Sequence, residues 1–332
     1  MRLWKSRVEK MVDAATTQTA ASMSSNEAEV PLGESSGARF VLKFLRKDKP
    51  ALTGMVIIGA FFVFAAAEGV LQVVGGYLRM QYLGWILLPS NPLQVDFHNS
   101  LIAPNLGSLQ ALLGYDFEGR SILSQILYAA PRDAMAALLV VASAIVIGML
   151  TGISAGYVGG WADEVLMRVT DAFLAFPAIF LAIALAILLG NGYTVVLVAL
   201  VVVWWPPYAR FFRAQTLRER NRGYVEASKL SGISSLRVMS RHIFPNTIDP
   251  IIAIASLDLG NVILTYSTLA FLGIGLQIGV PEWGSMTSDG LAYIPGAWWW
   301  ALFPALVIML VVVCFSIIGD RIQDLVGGRL SY

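Results

Sequence analysis

Six apolar stretches fix what this 332-residue chain can become. Residues 51–78, 133–156, 166–189, 193–212, 249–272 and 298–319 carry at most two charged side chains each. About 20 consecutive apolar residues are enough to cross the hydrocarbon of a bilayer as a helix. Lipid offers peptide groups no hydrogen bonds, so such stretches must satisfy their own. Composition agrees: 57% of residues are hydrophobic and 14% charged, where a soluble domain carries about 25% charged residues. The expected fold class is an all-α integral membrane protein with six transmembrane helices.

Charge sets the orientation, because Lys and Arg collect on the cytoplasmic side. Arg2, Lys5, Arg7, Lys10, Arg39, Lys43, Arg46, Lys47 and Lys49 precede the first span, and the 210–246 loop holds eight more. The long 79–132 loop has only Arg79, Arg120 and Arg132, and the 273–297 loop has none. Both termini and the 210–246 loop are therefore expected in the cytoplasm, with the chain in the plasma (inner) membrane. Trp283, Tyr293 and Trp298 to Trp300 are expected to form an aromatic belt at the outer face.

The chain then divides as follows. Residues 1–38 form a cytoplasmic tail. Leu3, Trp4, Val8, Met11 and Val12 would suit an interfacial helix, with a partly ordered tail as the competing reading, and the polar 16–37 stretch predicts disorder. Phe40, Val41, Phe44 and Leu45 mark an elbow helix at 39–50. The first span at 51–78 leads into the external 79–132 loop. A core at 133–320 holds five spans and the 210–247 loop, and 321–332 close the chain in the cytoplasm. Within the external loop, Ser121 to Ala130 predicts an amphipathic helix on the outer surface. Pro177 should bend the third span, and Trp204-Trp205-Pro206-Pro207 should break the fourth.

Several chemistries are excluded. Cys314 is the only cysteine, so neither a disulfide within the chain nor a Cys/His metal spacing exists. No G-x-x-x-x-G-K-[ST] loop is present, so ATP is not bound through a P-loop here. Gly152-Ile153-Ser154-Ala155-Gly156 matches G-x-S-x-G, a pattern that needs a strand-turn-helix elbow in a hydrolase. An intramembrane serine protease is the rival enzyme, but the only histidines, His98 and His242, lie in opposite aqueous loops. An ion-coupled carrier would normally repeat its halves, and no convincing repeat is seen.

The 210–246 loop is both charged and helical. Tyr224 to Leu230 predicts a helix, Gly232 suits the left-handed position after it, Ser234 or Ser235 can cap a second helix, and Pro245 should end that one. The arginines also fit a DNA-binding reading, but a pair of helices tied at both ends to the bilayer scarcely enters a major groove. No nucleic acid is expected.

Glu226-Ala227-Ser228, three residues, Gly232, nine residues and then His242-Ile243-Phe244-Pro245 resembles the EAA loop of ABC importer permeases. Ser228, His242 and Phe244 depart from the usual residues. Arg241 to Asn246 is similar to the dipeptide/oligopeptide/nickel branch, and other elements agree. Gly114 to Ser121 resembles its GTD-x-x-GRD element, Gly152 to Gly160 with Asp163, Arg168, Asp171 and Pro177 its second-to-third-span signature, and Leu269 to Gln277 with Trp283-Gly284 its LSFLGLGxQ…WG pattern. Tyr266 stands where that pattern has Glu. Gly319-Asp320-Arg321 with Asp324 resembles GDxLRD, and the closing DPR is replaced by Val326-Gly327-Gly328-Arg329.

The resemblance implies a type I ABC importer permease. It would be a non-catalytic subunit whose coupling helix docks on separate ATPase subunits. Implied partners are a second homologous permease, two ATPase subunits that hold the ATP and Mg, an extracytoplasmic solute-binding protein and lipid. No cofactor is expected in this chain. Tyr224, Glu226, Ala227, Ser228, Gly232 and Pro245 would form the coupling site, with the Glu226 carboxylate favoured near a helix N-terminus. Di- or oligopeptides are the first expected cargo, with oligosaccharides or nickel complexes as alternatives.

Ionisable groups in spans are candidates for function. Asp258, Asn261 and Thr265, spaced i, i+3, i+7 with Thr268 nearby, form a polar stripe on the fifth span. It lines a translocation path or makes a buried contact with another helix. Glu68 is expected to snorkel from the first span, and Asp171 to pack against a nearby Arg.

Overall fold

The computed structural model describes residues 48–275 and 279–326. The stretches for which an interfacial helix, a disordered tail and most of an elbow helix are expected, together with Gln277 and the last six residues, lie outside them. Among the described residues the regular structure is helical, with no strand. Helix α1 (Lys49–Tyr77) starts where Asp48 accepts the Ala51 N–H at 3.3 Å, with Pro50 in its first turn. Helix α2 (Ile122–Val158) starts under a Ser121 cap. It is followed by α3 (Gly160–Leu174), α4 (Ala178–Leu189) and α5 (Tyr193–Glu219). The loop helices are α6 (Gly223–Leu230), α7 (Ser235–Val238) and α8 (Phe244–Thr247). The chain ends in α9 (Asp249–Phe271), α10 (Trp283–Leu291) and α11 (Trp298–Val326).

Among the described residues, five helices are long and apolar enough to span a membrane. The expected third span is the pair α3 and α4, which meet at Pro177 with an angle of 87°. That is a corner, where the sequence predicts a bend.

Three boundaries differ from expectation, all at prolines. Ser121 to Ala130 is no separate surface helix. It is the first part of the 37-residue α2, which runs through Pro131 and buries Ile122, Gln125, Ile126 and Ala129. Pro131 lacks an N–H, and side chains from elsewhere bind the carbonyls around it. The Trp283 indole donates to Ile126 O at 2.9 Å, Gln72 to Tyr128 O at 3.1 Å and the Tyr193 hydroxyl to Arg132 O at 3.1 Å. Helix α5 is likewise unbroken through Pro206 and Pro207. Pro245 does not end a helix. A π-helical turn at Met239–Ile243 leads into α8, with Pro245 in its first turn, where the missing N–H costs nothing.

Helix α5 holds its line because α2 lies directly against it. Gly148, Gly152 and Gly156 are spaced by four and face Tyr208, Ala209, Phe212 and Thr216. A Cβ on Gly156 would stand 2.8 Å from the Thr216 Cβ. Small residues let membrane helices approach this closely. Arg213 Nη2 pairs with Asp163 Oδ2 at 2.7 Å, and Arg210 Nη2 with Asp171 Oδ1 at 2.7 Å, tying α5 to α3. Arg210 is thus the arginine that Asp171 packs against.

At the other end of the bundle the 79–121 segment is pinned to the helices. Buried Asp116 accepts from Arg120 Nε at 2.8 Å and from Gln125 Nε2 at 2.9 Å. The expected aromatic belt is mostly interior: Trp283, Trp299 and Trp300 are buried, and Trp298 alone of these tryptophans is exposed. They fill the space where α10 packs on α11. Glu68 does not snorkel. It is fully buried and accepts from Gln72 Nε2 at 3.1 Å.

Candidate functional site

The 210–246 segment forms a clamp. Helix α6 grows from a three-residue turn after α5 and buries one residue, Val225, against Phe212, Val238, Ile243 and Ile251. That apolar foot seats the helix on the ends of the spans. Glu226, Ala227 and Leu230 are exposed, while the Ser228 hydroxyl turns back to Tyr224 O at 2.8 Å. Gly232 has φ +75°, and Ile233 N–H donates to Ser228 O at 3.2 Å, closing the helix end. Ser234 precedes α7 but makes no side-chain cap.

Tyr224 is the polar anchor. Its hydroxyl donates to Glu219 Oε2 at 2.6 Å and accepts from Asn246 Nδ2 at 3.3 Å. Burial, followed by the Glu219 carboxylate, raises the Tyr224 pKa. Of the six expected coupling residues, Tyr224, Glu226, Ala227 and Ser228 sit on α6, Gly232 at its end and Pro245 on α8. Sequence reasoning gave no role to Glu219 or Asn246. The available signal was an acid in the last turn of a helix, where the macrodipole disfavours it.

On α9, Asn261 Nδ2 lies 3.4 Å from Asp258 Oδ1, and the Thr265 hydroxyl donates to Asn261 O at 2.8 Å. Asn261 is exposed, and Asp258 and Thr265 are half-buried. The three form one stripe. The buried Tyr208 side chain of α5 faces Asp258, so the stripe has an open part and a part in contact with another helix.

A second polar cluster, not anticipated, lies where α2, α5, α9 and the segment before α10 meet. Asp133 is fully buried, and Glu282 is buried beside it. Glu282 caps α10, its Oε2 accepting the Ser285 N–H at 3.0 Å. Burial pushes its pKa up to about 8. A small cavity of about 20 Å³ is lined by Glu282, Arg132, Tyr193 and Tyr266, room for one water. Tyr266, where the family pattern has Glu, and Glu282 line the same cavity. Ser154 lies inside α2, not on an elbow, so G-x-S-x-G here is helix packing.

Comparison with known proteins agrees with this architecture. The family described as binding-protein-dependent transport system inner membrane component matches residues 144–332. The chain is 35% identical over 293 residues to the dipeptide transport system permease protein DppC of Alkalihalophilus pseudofirmus, covering 88% of this chain and 90% of that one. It is 39% identical over 270 residues to the DppC of Escherichia coli K12, covering 80% and 89%. It is 36% identical over 219 residues to the glutathione transport system permease protein GsiD of Pectobacterium atrosepticum, covering 66% and 73%. With its multi-pass helical fold, this chain belongs to the family of binding-protein-dependent transport system inner membrane components and is a non-catalytic ABC transporter permease.

Proposed function

We propose that this chain is a permease subunit of an ATP-driven peptide importer, worked through α6. The observation that carries this is the mounting of α6: Val225 and Tyr224 hold its inner side while Glu226 and Ala227 face out. An exposed helix held this rigidly is suited to a groove on another subunit. In this reading two ATPase subunits bind ATP and Mg, a second related permease completes the channel and a solute-binding protein delivers the cargo. Both termini and α6 are cytoplasmic, as the Lys and Arg distribution requires. ATP binding draws the coupling helices together and opens the spans outward, and hydrolysis reverses this. The Asp258, Asn261 and Thr265 stripe lines the path.

The names of the relatives favour di- or oligopeptides. The test is uptake of a labelled dipeptide by the reconstituted complex with its binding protein. Peptides should compete, and oligosaccharide or nickel complexes should not. Glu226→Lys should release the ATPase subunits and abolish uptake. If it leaves both intact, α6 is not the docking helix.

A further inference from the structure

We propose that Glu219 is the positioning residue that latches the coupling helix to the spans on both sides of it. The proposal rests on the reading of α6 as the docking helix and adds the part that carries its movement into the membrane.

Glu219 closes α5 and is 7% exposed. A carboxylate there faces the negative end of the helix macrodipole and is largely removed from water. Its position is tolerable only with strong partners, and both oxygens have one. Oε1 is 3.1 Å from Arg222 Nε, in the turn before α6. Oε2 accepts the Tyr224 hydroxyl at 2.6 Å, from the first turn of α6. Hydrogen bonds to an ionised acceptor are shorter and stronger than neutral ones.

The chain of donors continues. The Tyr224 hydroxyl, which donates to Glu219, accepts from Asn246 Nδ2 at 3.3 Å, and the same amide donates to His242 O at 2.7 Å. Asn246 belongs to α8, immediately before α9. One directed path therefore runs from Asn246 through Tyr224 to Glu219. It joins α8, α6 and α5, and each bond polarises the next. The polar contacts complement the Val225 foot, which is apolar and carries no direction. A displacement of α6 thus reaches α5, and reaches the entrance of α9, through bonds of fixed geometry. With Glu219 removed, α6 can still dock but slides on its apolar foot.

The test uses the full complex, reading ATPase copurification, ATP hydrolysis and peptide uptake together. Glu219→Ala and Asn246→Ala, which cut the path at its α5 and α8 ends, should keep the ATPase subunits bound and hydrolysing while uptake per ATP falls, by about tenfold for Glu219→Ala, the scale of one charged hydrogen bond. Glu219→Gln, which keeps an acceptor for Tyr224, should restore part of the ratio. An unchanged ratio in both Glu219→Ala and Asn246→Ala overturns the latch. So does a loss of uptake that only follows a loss of folded complex. Glu226→Lys separates the two readings: ATPase subunits that stay bound to it count against docking, whatever the Glu219 variants do.

Discussion

A Cβ built on Gly152 would lie 2.7 Å from the Cβ of Phe212, so α2 and α5 touch backbone to backbone at this level. Both neighbours are parts of long helices and neither can retreat alone. Gly152→Ala should lower the thermal midpoint of the purified protein, with a cost of about 1–3 kcal/mol as for other overpacked sites, and Gly152→Leu should abolish folded yield. Gly59, exposed on α1 with nothing within 4 Å of a built Cβ, is the control. Gly59→Ala should be neutral or slightly stabilising, since alanine favours helix.

The buried Glu282 makes stability depend on pH. Its pKa is raised in the folded protein, to about 8, from about 4.3 in an unfolded chain. The folded state therefore holds the proton more tightly. The contribution is complete below about pH 4.3 and is lost as pH rises through about 8. The thermal midpoint should fall over that window and level off above it. Glu282→Gln, a neutral mimic, should flatten this part of the profile. A Gln variant with the unchanged slope would show that another group is responsible.

Asp258 tests the path. Asp258→Ala should cut peptide uptake while the complex still copurifies and hydrolyses ATP. Uptake at the original rate would remove Asp258 from the route.

The spans were legible because length and hydropathy alone determine them, and α6 because Tyr224 to Gly232 carries its own start and stop chemistry. What misled were prolines. Pro131, Pro206 and Pro245 look like boundaries to a reader of local sequence, yet each stands inside a continuing helical path. Whether a proline stops a helix depends on what packs around it, and here Trp283, more than 150 residues away, binds the Ile126 carbonyl in the turn before Pro131. The same holds for Glu68, whose partner Gln72 is local but whose burial comes from elsewhere in the fold. The Asp133 and Glu282 cluster was invisible for that reason: its members are separated by nearly half the chain.

The corner at Pro177 has a bearing on where the chain finishes. Its arms, 15 and 12 residues long, are each about 18–23 Å at 1.5 Å per residue, too short to cross alone. If they dipped and returned, the chain would traverse the bilayer an odd number of times and its eight-fold basic loop would have to be exported. Cationic loops resist export. On the proposed cytoplasmic placement of that loop, the two arms act as a single relay through the bilayer and the tally of passages is even, so a reporter enzyme fused after Tyr332 should score on the same side as one fused before Met1.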